Sequence, residues 1–172
     1  MSGPIPLACS SLAMRPAHAA DEGFLLRLYR SARPDLALLP LPPADLDALV
    51  AQQYQALLQG AGQMFAGAQH YVIEHQGDAV GALIVEIGSS ELRIVYLAMI
   101  PAVRGRGLGA ELLHGLQQAA RQVRAPLVAT VWQTNTRARS LYLRLGFRVE
   151  ATQPGVERLA WYPEARPTVL MP

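Results

Sequence analysis

The chain has 172 residues, 51% apolar and 16% charged, against a usual charged share of about 25%, which excludes intrinsic disorder and suits one domain with a full core. All 15 basic residues are arginine, and they exceed the acids by two. That balance hides a split: residues 1–86 hold four arginines against eight acids, net −4, and residues 87–172 hold eleven against five, net +6, which points to an anionic partner for the second half.

Residues 1–10 carry Pro4 and Pro6 and read as a loose N-terminal arm. The arm holds Cys9, the only cysteine, which excludes an internal disulfide and a cysteine-based zinc site. It suits a reducing cytoplasm. Leu12–Arg15 is a short strand stopped by Pro16. Ala17-His18-Ala19 mimics a cleavage site, but no basic segment precedes it, so no signal peptide is expected. Asp21 and Glu22 start a helix with Phe24, Leu25, Leu28 and Tyr29 at helical spacing, where acids offset the positive end of the helix dipole. The run LLPLPP at 38–43 is a stiff connector into a second helix, with Leu46, Leu49, Val50, Leu57 and Leu58 on one side and Gly60 and Gly62 as its predicted end.

Residues 71–75 form a strand, Gln76-Gly77-Asp78 a tight turn, and Ala79–Ile87 an interior strand that is apolar on both faces. After Gly88-Ser89-Ser90 a long strand, Glu91–Ile100, ends at Pro101. RGRGLG at 104–109 leads into a helix carrying Leu112, Leu113, Leu116, Ala120 and Val123, closed by Pro126. LVATVW at 127–132 is a buried strand. Asn135 caps a helix with Ala138, Leu141, Tyr142 and Leu145 on one face, ended by Gly146. Phe147–Ala151 and Val156–Trp161 close the chain as a strand pair around Pro154-Gly155. The expected fold is a mixed α/β (α+β) sheet of seven strands with about four helices, in one domain over 11–165 with a tail at 166–172. The longest charge-free stretch, 48–73, is broken by glutamines and His70, so no membrane span is expected.

The junction Ile100–Gly109 is the richest in chemistry. A strand ends, glycines bend the chain and a helix begins. First-turn N–H groups lack helical partners, and the dipole there favours anions. Gly105, Gly107 and Gly109 let a phosphate approach the backbone, and Arg104 and Arg106 add charge. A P-loop is excluded in a lysine-free chain. Gly105-x-Gly107-x-x-Ala110 nearly fits a dinucleotide fingerprint, but the next strand ends Trp132-Gln133-Thr134-Asn135 without the required acid. A ligand-free tight turn stays open as the plain alternative.

The run LAMIPAVRGRGLGAELL, followed by NTRARSLYLRLGF, resembles the acyl-CoA-binding core of the GNAT superfamily of N-acetyltransferases. The matching positions are Arg104, Gly107 and Gly109, then Asn135, Ala138, Leu141, Tyr142, Gly146 and Phe147. The resemblance implies a GNAT-like, mostly antiparallel sheet and acetyl-CoA as co-substrate, with no metal. It puts the pyrophosphate on Arg104, Gly105, Arg106, Gly107, Leu108 and Gly109. The pantetheine arm would lie along the splayed end of the fourth expected strand, at Leu97, Ala98, Met99 and Ile100, bonding to backbone as an added strand does. Asn135 would contact the coenzyme, and Arg137 and Arg139 would lie near its adenine or 3′-phosphate end. Tyr142 would protonate the departing thiolate. Asn135 as a plain cap and Tyr142 as a core tyrosine remain the alternatives.

The amine must be neutral to attack, so a proton acceptor is needed. Glu91 and Glu86 are the candidates. Alternation puts Glu91 on a face with Arg93, Val95 and Leu97, and Glu86 with Val80, Ala82 and Ile84. Each also fits a surface charge at a strand end. His70 and His75 should face opposite ways, which argues against a metal site. The implied function is N-acetylation of a small or peptide amine, with a non-catalytic acyl-CoA sensor as the alternative. The acids Asp21, Glu22, Asp35, Asp45 and Asp47 would draw a cationic amine, unless they only start helices. No nucleic-acid partner is expected, because Trp132, Trp161 and Tyr162 form no stacking series. The resemblance allows a homodimer.

Overall fold

The computed structural model describes residues 5–6 and 11–164. The remaining arm residues, Cys9 among them, and the expected tail lie outside the described residues. Eight strands form one sheet: β1 (Ile5–Pro6), β2 (Leu12–Pro16), β3 (Ala68–His75), β4 (Asp78–Ile87), β5 (Leu92–Met99), β6 (Leu127–Trp132), β7 (Arg148–Gln153) and β8 (Val156–Trp161). Their order is β1-β2-β3-β4-β5-β6-β8-β7, antiparallel throughout except for β5 beside β6. Seven strands match the expected set. The eighth, β1, pairs with Ala13 and Met14 from within the expected loose arm. Its proline is tolerated because β1 is an edge strand.

Five helices flank the sheet: α1 (Glu22–Ser31), α2 (Pro34–Ala37), α3 (Pro43–Met64), α4 (Leu108–Val123) and α5 (Thr136–Arg144). The addition to the expected four is α2, a single turn begun by Pro34. A proline at the first helical position loses no hydrogen bond, because that N–H has no helical acceptor. The same logic starts α3 at Pro43. α3 does not end at Gly60 or Gly62 but runs on to Met64. A helical glycine costs only about 1 kcal/mol relative to alanine. Between the two glycines Ala61 is buried, and its carbonyl accepts the Phe65 N–H at 2.9 Å.

Two apolar clusters sandwich the sheet. On one face Leu112, Leu113 and Leu116 of α4 and Tyr142 of α5 pack on Leu83, Ile94, Leu127 and Leu159. On the other, Leu25, Leu28 and Tyr29 of α1 and Leu46, Val50 and Tyr54 of α3 pack on Val72, Ala82 and Ala98. Tyr54, absent from the sequence-predicted face of α3, is nearly inaccessible.

Strand β5 breaks its own alternation. Its register to β4 slips between Ile84↔Tyr96 and Val85↔Ile94, leaving Val95 unpaired as a β-bulge. Leu92 and Ile94 lie on the α4 side, and so do Leu97 and Met99, while Tyr96 and Ala98 lie on the α1–α3 side. Glu91 and Arg93 therefore do not share a face with Leu97, contrary to simple alternation. A second slip, beside Val80, likewise puts Val80 in the α4 cluster and Ala82 in the opposite one.

Candidate active site

The β5–β6 ladder is short. It runs from Leu92↔Leu127 to Ile94↔Ala129. Beyond that point β5 stays with β4, through Leu97↔Leu83, Ala98↔Ala82 and Met99↔Gly81. β6 stays with β8, through Thr130↔Arg158, Val131↔Glu157 and Trp132↔Val156. Two neighbouring strands are thus held apart by their outer partners. The inner edge of β5 at Leu97–Met99 faces a fork, where an extended ligand can hydrogen-bond as a strand would.

The glycine-rich turn stands at the open end of this fork. A single 3-10 turn, Pro101–Val103, leads from β5 into it. Gly105 and Gly107 have φ +76° and +84°, a left-handed region that side chains rarely adopt. Gly107 caps α4, so the N–H groups of Leu108 and Gly109 begin the helix with no helical carbonyl behind them. Arg106 is exposed beside them. The geometry fits an anion with several oxygens, such as a pyrophosphate.

The arginines around the turn divide their tasks. Arg104 donates from Nε to the Met99 carbonyl at 2.9 Å and from Nη2 to Ser31 Oγ at 3.0 Å. It clamps the end of β5 to the end of α1. Burial first, then the neighbouring Arg137, lowers its pKa. The Arg137 guanidinium stands beside Gly105, 3.0 Å from where a Cβ there would lie. Arg139 does not join this group, because its Nε donates to Glu157 Oε2 at 2.6 Å. The Asn135 side chain accepts the Ala138 N–H at 3.2 Å, so its capping role is present.

Tyr142 lies on the α4 side of the sheet with its ring edge-on to Phe147, 4.9 Å between centroids. Only 6% of the residue is exposed. Burial pushes its hydroxyl pKa up, so the group stays protonated and able to donate. Among the described residues nothing hydrogen-bonds to it.

Glu91 and Glu86 lie away from this arrangement. Glu91 is bound by Arg93, and Arg158 Nη2 donates to its Oε2 at 2.6 Å. Arg158 first, with Arg93 adding charge, lowers its pKa. With Val95 bulged out, Glu91 stands five strand steps from Leu97, about 17 Å. Glu86 pairs across from Arg93, three residues beyond the Leu83↔Leu97 row. The acids of the first half are mostly engaged too. Asp21 pairs with Arg15 at 2.8 Å, Asp35 with Arg33 at 2.7 Å and Asp47 with Arg30 at 2.7 Å. Among the described residues no cluster of metal-binding side chains occurs, and no helix is long and apolar enough to cross a membrane.

Sequence reasoning missed the polar side chains beside the fork on the α1–α3 face. The available signal was Thr130, the one polar residue in LVATVW. Arg158 and Gln153 reach the same place from separate strands, which no local pattern reveals.

Known proteins share both the sequence core and the fold. Residues 66–149 match the family model described as "Acetyltransferase (GNAT) domain". A 5-NmdU N-acetyltransferase of Pseudomonas phage PaMx11 is 30% identical over 96 residues, spanning 55% of this chain and 67% of the phage protein. Two solved structures superimpose over 88% of this chain. PaiA N-acetyltransferase from Thermoplasma acidophilum in complex with coenzyme A has a TM-score of 0.67 at 15% identity, with 99% of that chain covered. An acetyltransferase from Thermus thermophilus has a TM-score of 0.65 at 22% identity, with 97% of that chain covered.

Proposed function

The chain belongs to the GNAT family of acetyltransferases, and from that membership we propose that it transfers acetyl from acetyl-CoA to a primary amine with the fork and glycine turn as its coenzyme site. The observation that carries this reading is the juxtaposition of three features: an unpaired β5 edge, a helix start with two left-handed glycines, and a buried tyrosine with a free hydroxyl. Acetyl-CoA supplies an activated acetyl thioester. The first-turn N–H groups at Leu108 and Gly109, with Arg106 and Arg137, hold its pyrophosphate. Arg104 acts from behind, fixing the turn to β5 and α1.

The backbone of Leu97–Ile100 aligns the pantetheine arm and offers an N–H to the thioester oxygen, where negative charge develops. The amine lone pair attacks the carbonyl carbon, the C–S bond breaks, and the sulfur leaves with the bonding pair. Tyr142 donates its proton to that sulfur, giving a thiol; the nitrogen gives up one proton to water to become an amide, and a proton from solvent restores Tyr142. The paired carboxylate of Glu91 serves as a structural ion in this scheme, and Glu86 remains the nearer candidate for a water-relayed base. The free hydroxyl of Tyr142 favours turnover over a sensor that only binds the coenzyme.

The acceptor is a small or peptide amine. Because one relative is a 5-NmdU N-acetyltransferase, 5-NmdU belongs in the screen. We place the reaction in the cytoplasm, which the single cysteine suits, and a homodimer is the assembly to check by light scattering. The deciding experiment has two arms. Calorimetry with acetyl-CoA and CoA should show saturable binding. Thiol release across an amine panel should show turnover that Tyr142→Phe abolishes. No binding at millimolar coenzyme refutes the site; binding without turnover of any amine refutes the catalytic reading.

A further inference from the structure

A small cavity of about 140 Å³ opens beside the fork, lined by Arg93, Thr130, Ala151, Gln153, Val156 and Arg158. Its position follows from register. Arg93 neighbours Ile94, the last β5 residue paired to β6, and Thr130 is the first β6 residue beyond that ladder. Leu92, Ile94, Ala129, Val131 and Leu159 point into the α4 cluster. The side chains of Arg93, Thr130 and Arg158 alternate with these, so they lie on the opposite face. The cavity therefore sits at the root of the fork, across the sheet from Tyr142.

Its polar groups are held in place before any ligand arrives. Glu91 bridges Arg93 and Arg158. The Phe65 ring stacks on the Arg93 guanidinium, 5.0 Å from its centroid. Arg158 is held by a second acid, Glu150, at 3.4 Å. Yet Arg93 is not fully satisfied. Its Nε is buried without a hydrogen-bond partner among the described residues, since Glu86 stands 3.8 Å away. A buried unpaired N–H is costly to leave unmade, so a ligand oxygen that drew the Arg93 side chain toward the cavity would relieve that cost.

We propose that this cavity receives the far end of the acyl acceptor and selects a neutral planar amide there. The proposal rests on the acetyltransferase reading. Two arginines face three glutamates, Glu86, Glu91 and Glu150, so the local formal charge is not positive. A carboxylate or phosphate gains little from such a set. A carbonyl needs only an N–H, which the guanidinium groups of Arg93 and Arg158 that line the cavity supply. The amide NH₂ needs acceptors, which Thr130 and Gln153 supply. Val156 and Ala151 pack the intervening carbon chain. The Arg93↔Glu86 and Leu97↔Leu83 rows are three β4 residues apart, so amine and amide lie about 10 Å apart.

Three amines of matched length test this: the ω-amino amide of octanoic acid, ω-aminooctanoate and nonylamine. The expected result is a kcat/KM for the amide at least tenfold above both others. The double variant Thr130→Val, Gln153→Ala should erase that preference while leaving acetyl-CoA affinity unchanged. Equal rates, a preference for the carboxylate, or a preference that survives the double variant overturns the proposal. So does normal acetyl-CoA binding with no turnover of any of the three, which leaves the coenzyme site standing. Failure to bind acetyl-CoA at all overturns the acetyltransferase reading itself.

Discussion

Arg137 reaches back from the first turn of α5 to Gly105, so that a Cβ on that glycine would lie 3.0 Å from its Nη2. The contact joins two segments more than thirty residues apart at the anion cradle. Arg137→Ala should weaken CoA binding about tenfold, the usual weight of one charge-assisted contact. Gly105→Ala should do at least as much, because alanine is strained at φ +76° and also displaces Arg137. Calorimetry at two salt concentrations checks this. Removing Arg137 should flatten the salt dependence, whereas Gly105→Ala should flatten it less, because the displaced charge is moved and not removed.

Tyr142→Phe separates chemistry from packing. The ring stays against Phe147, so the melting temperature and CoA affinity should hold. Loss of the proton donor should lower kcat by about 10²–10⁴. The pH profile carries a sign. Burial raises the hydroxyl pKa above its ordinary value of about 10, so the donor remains protonated across the neutral and mildly alkaline range. The wild-type rate should therefore climb as the amine deprotonates and then level off, with no alkaline fall below about pH 10.

The helices and strands were legible because apolar spacing and turn residues mark them. The glycine turn and the Asn135–Tyr142 segment were legible because their chemistry is local. The bulge at Val95 was not. Val95 and Tyr96 both suit a strand, and nothing in the sequence marks which of them the sheet will skip. That single slip moved Leu97 to the face opposite Arg93 and undid the face argument for Glu91. Arg139 illustrates the other limit. Its partner Glu157 lies on β8, and only the folded sheet brings them together. The Arg93–Glu91–Arg158 bridge is of the same kind, joining β5 to β8.

Asn135 has two roles that one pair of variants can separate. Its side chain accepts the Ala138 N–H, and losing a cap of this type costs about 1 kcal/mol. Asn135→Ala should lower stability by that amount. Asn135→Ser restores a capping oxygen and should recover it. If the residue also touches the coenzyme, serine will rescue the melting temperature but not the CoA affinity. Full rescue of both would reduce Asn135 to a cap.

Asp21 supplies the clearest pH test of the fold. Arg15 holds it through two contacts of 2.8 Å, and the His18 N–H adds a third at 2.8 Å. The Arg15 hydrogen bonds chiefly, opposed in part by burial, bring its pKa down to about 2. A carboxyl depressed in the folded state stabilises fully above its unfolded pKa of about 4. That contribution fades as pH falls from about 4 toward the folded value near 2. Asp21→Asn should thus cost roughly 1–3 kcal/mol at pH 7, because half-buried Arg15 is left with Glu74 as its one carboxylate partner. Near pH 2 most of that difference should be gone. Urea unfolding of both proteins across this range reads it directly. A difference that stays constant with pH would mean that Asp21 acts by shape and hydrogen bonding rather than by charge.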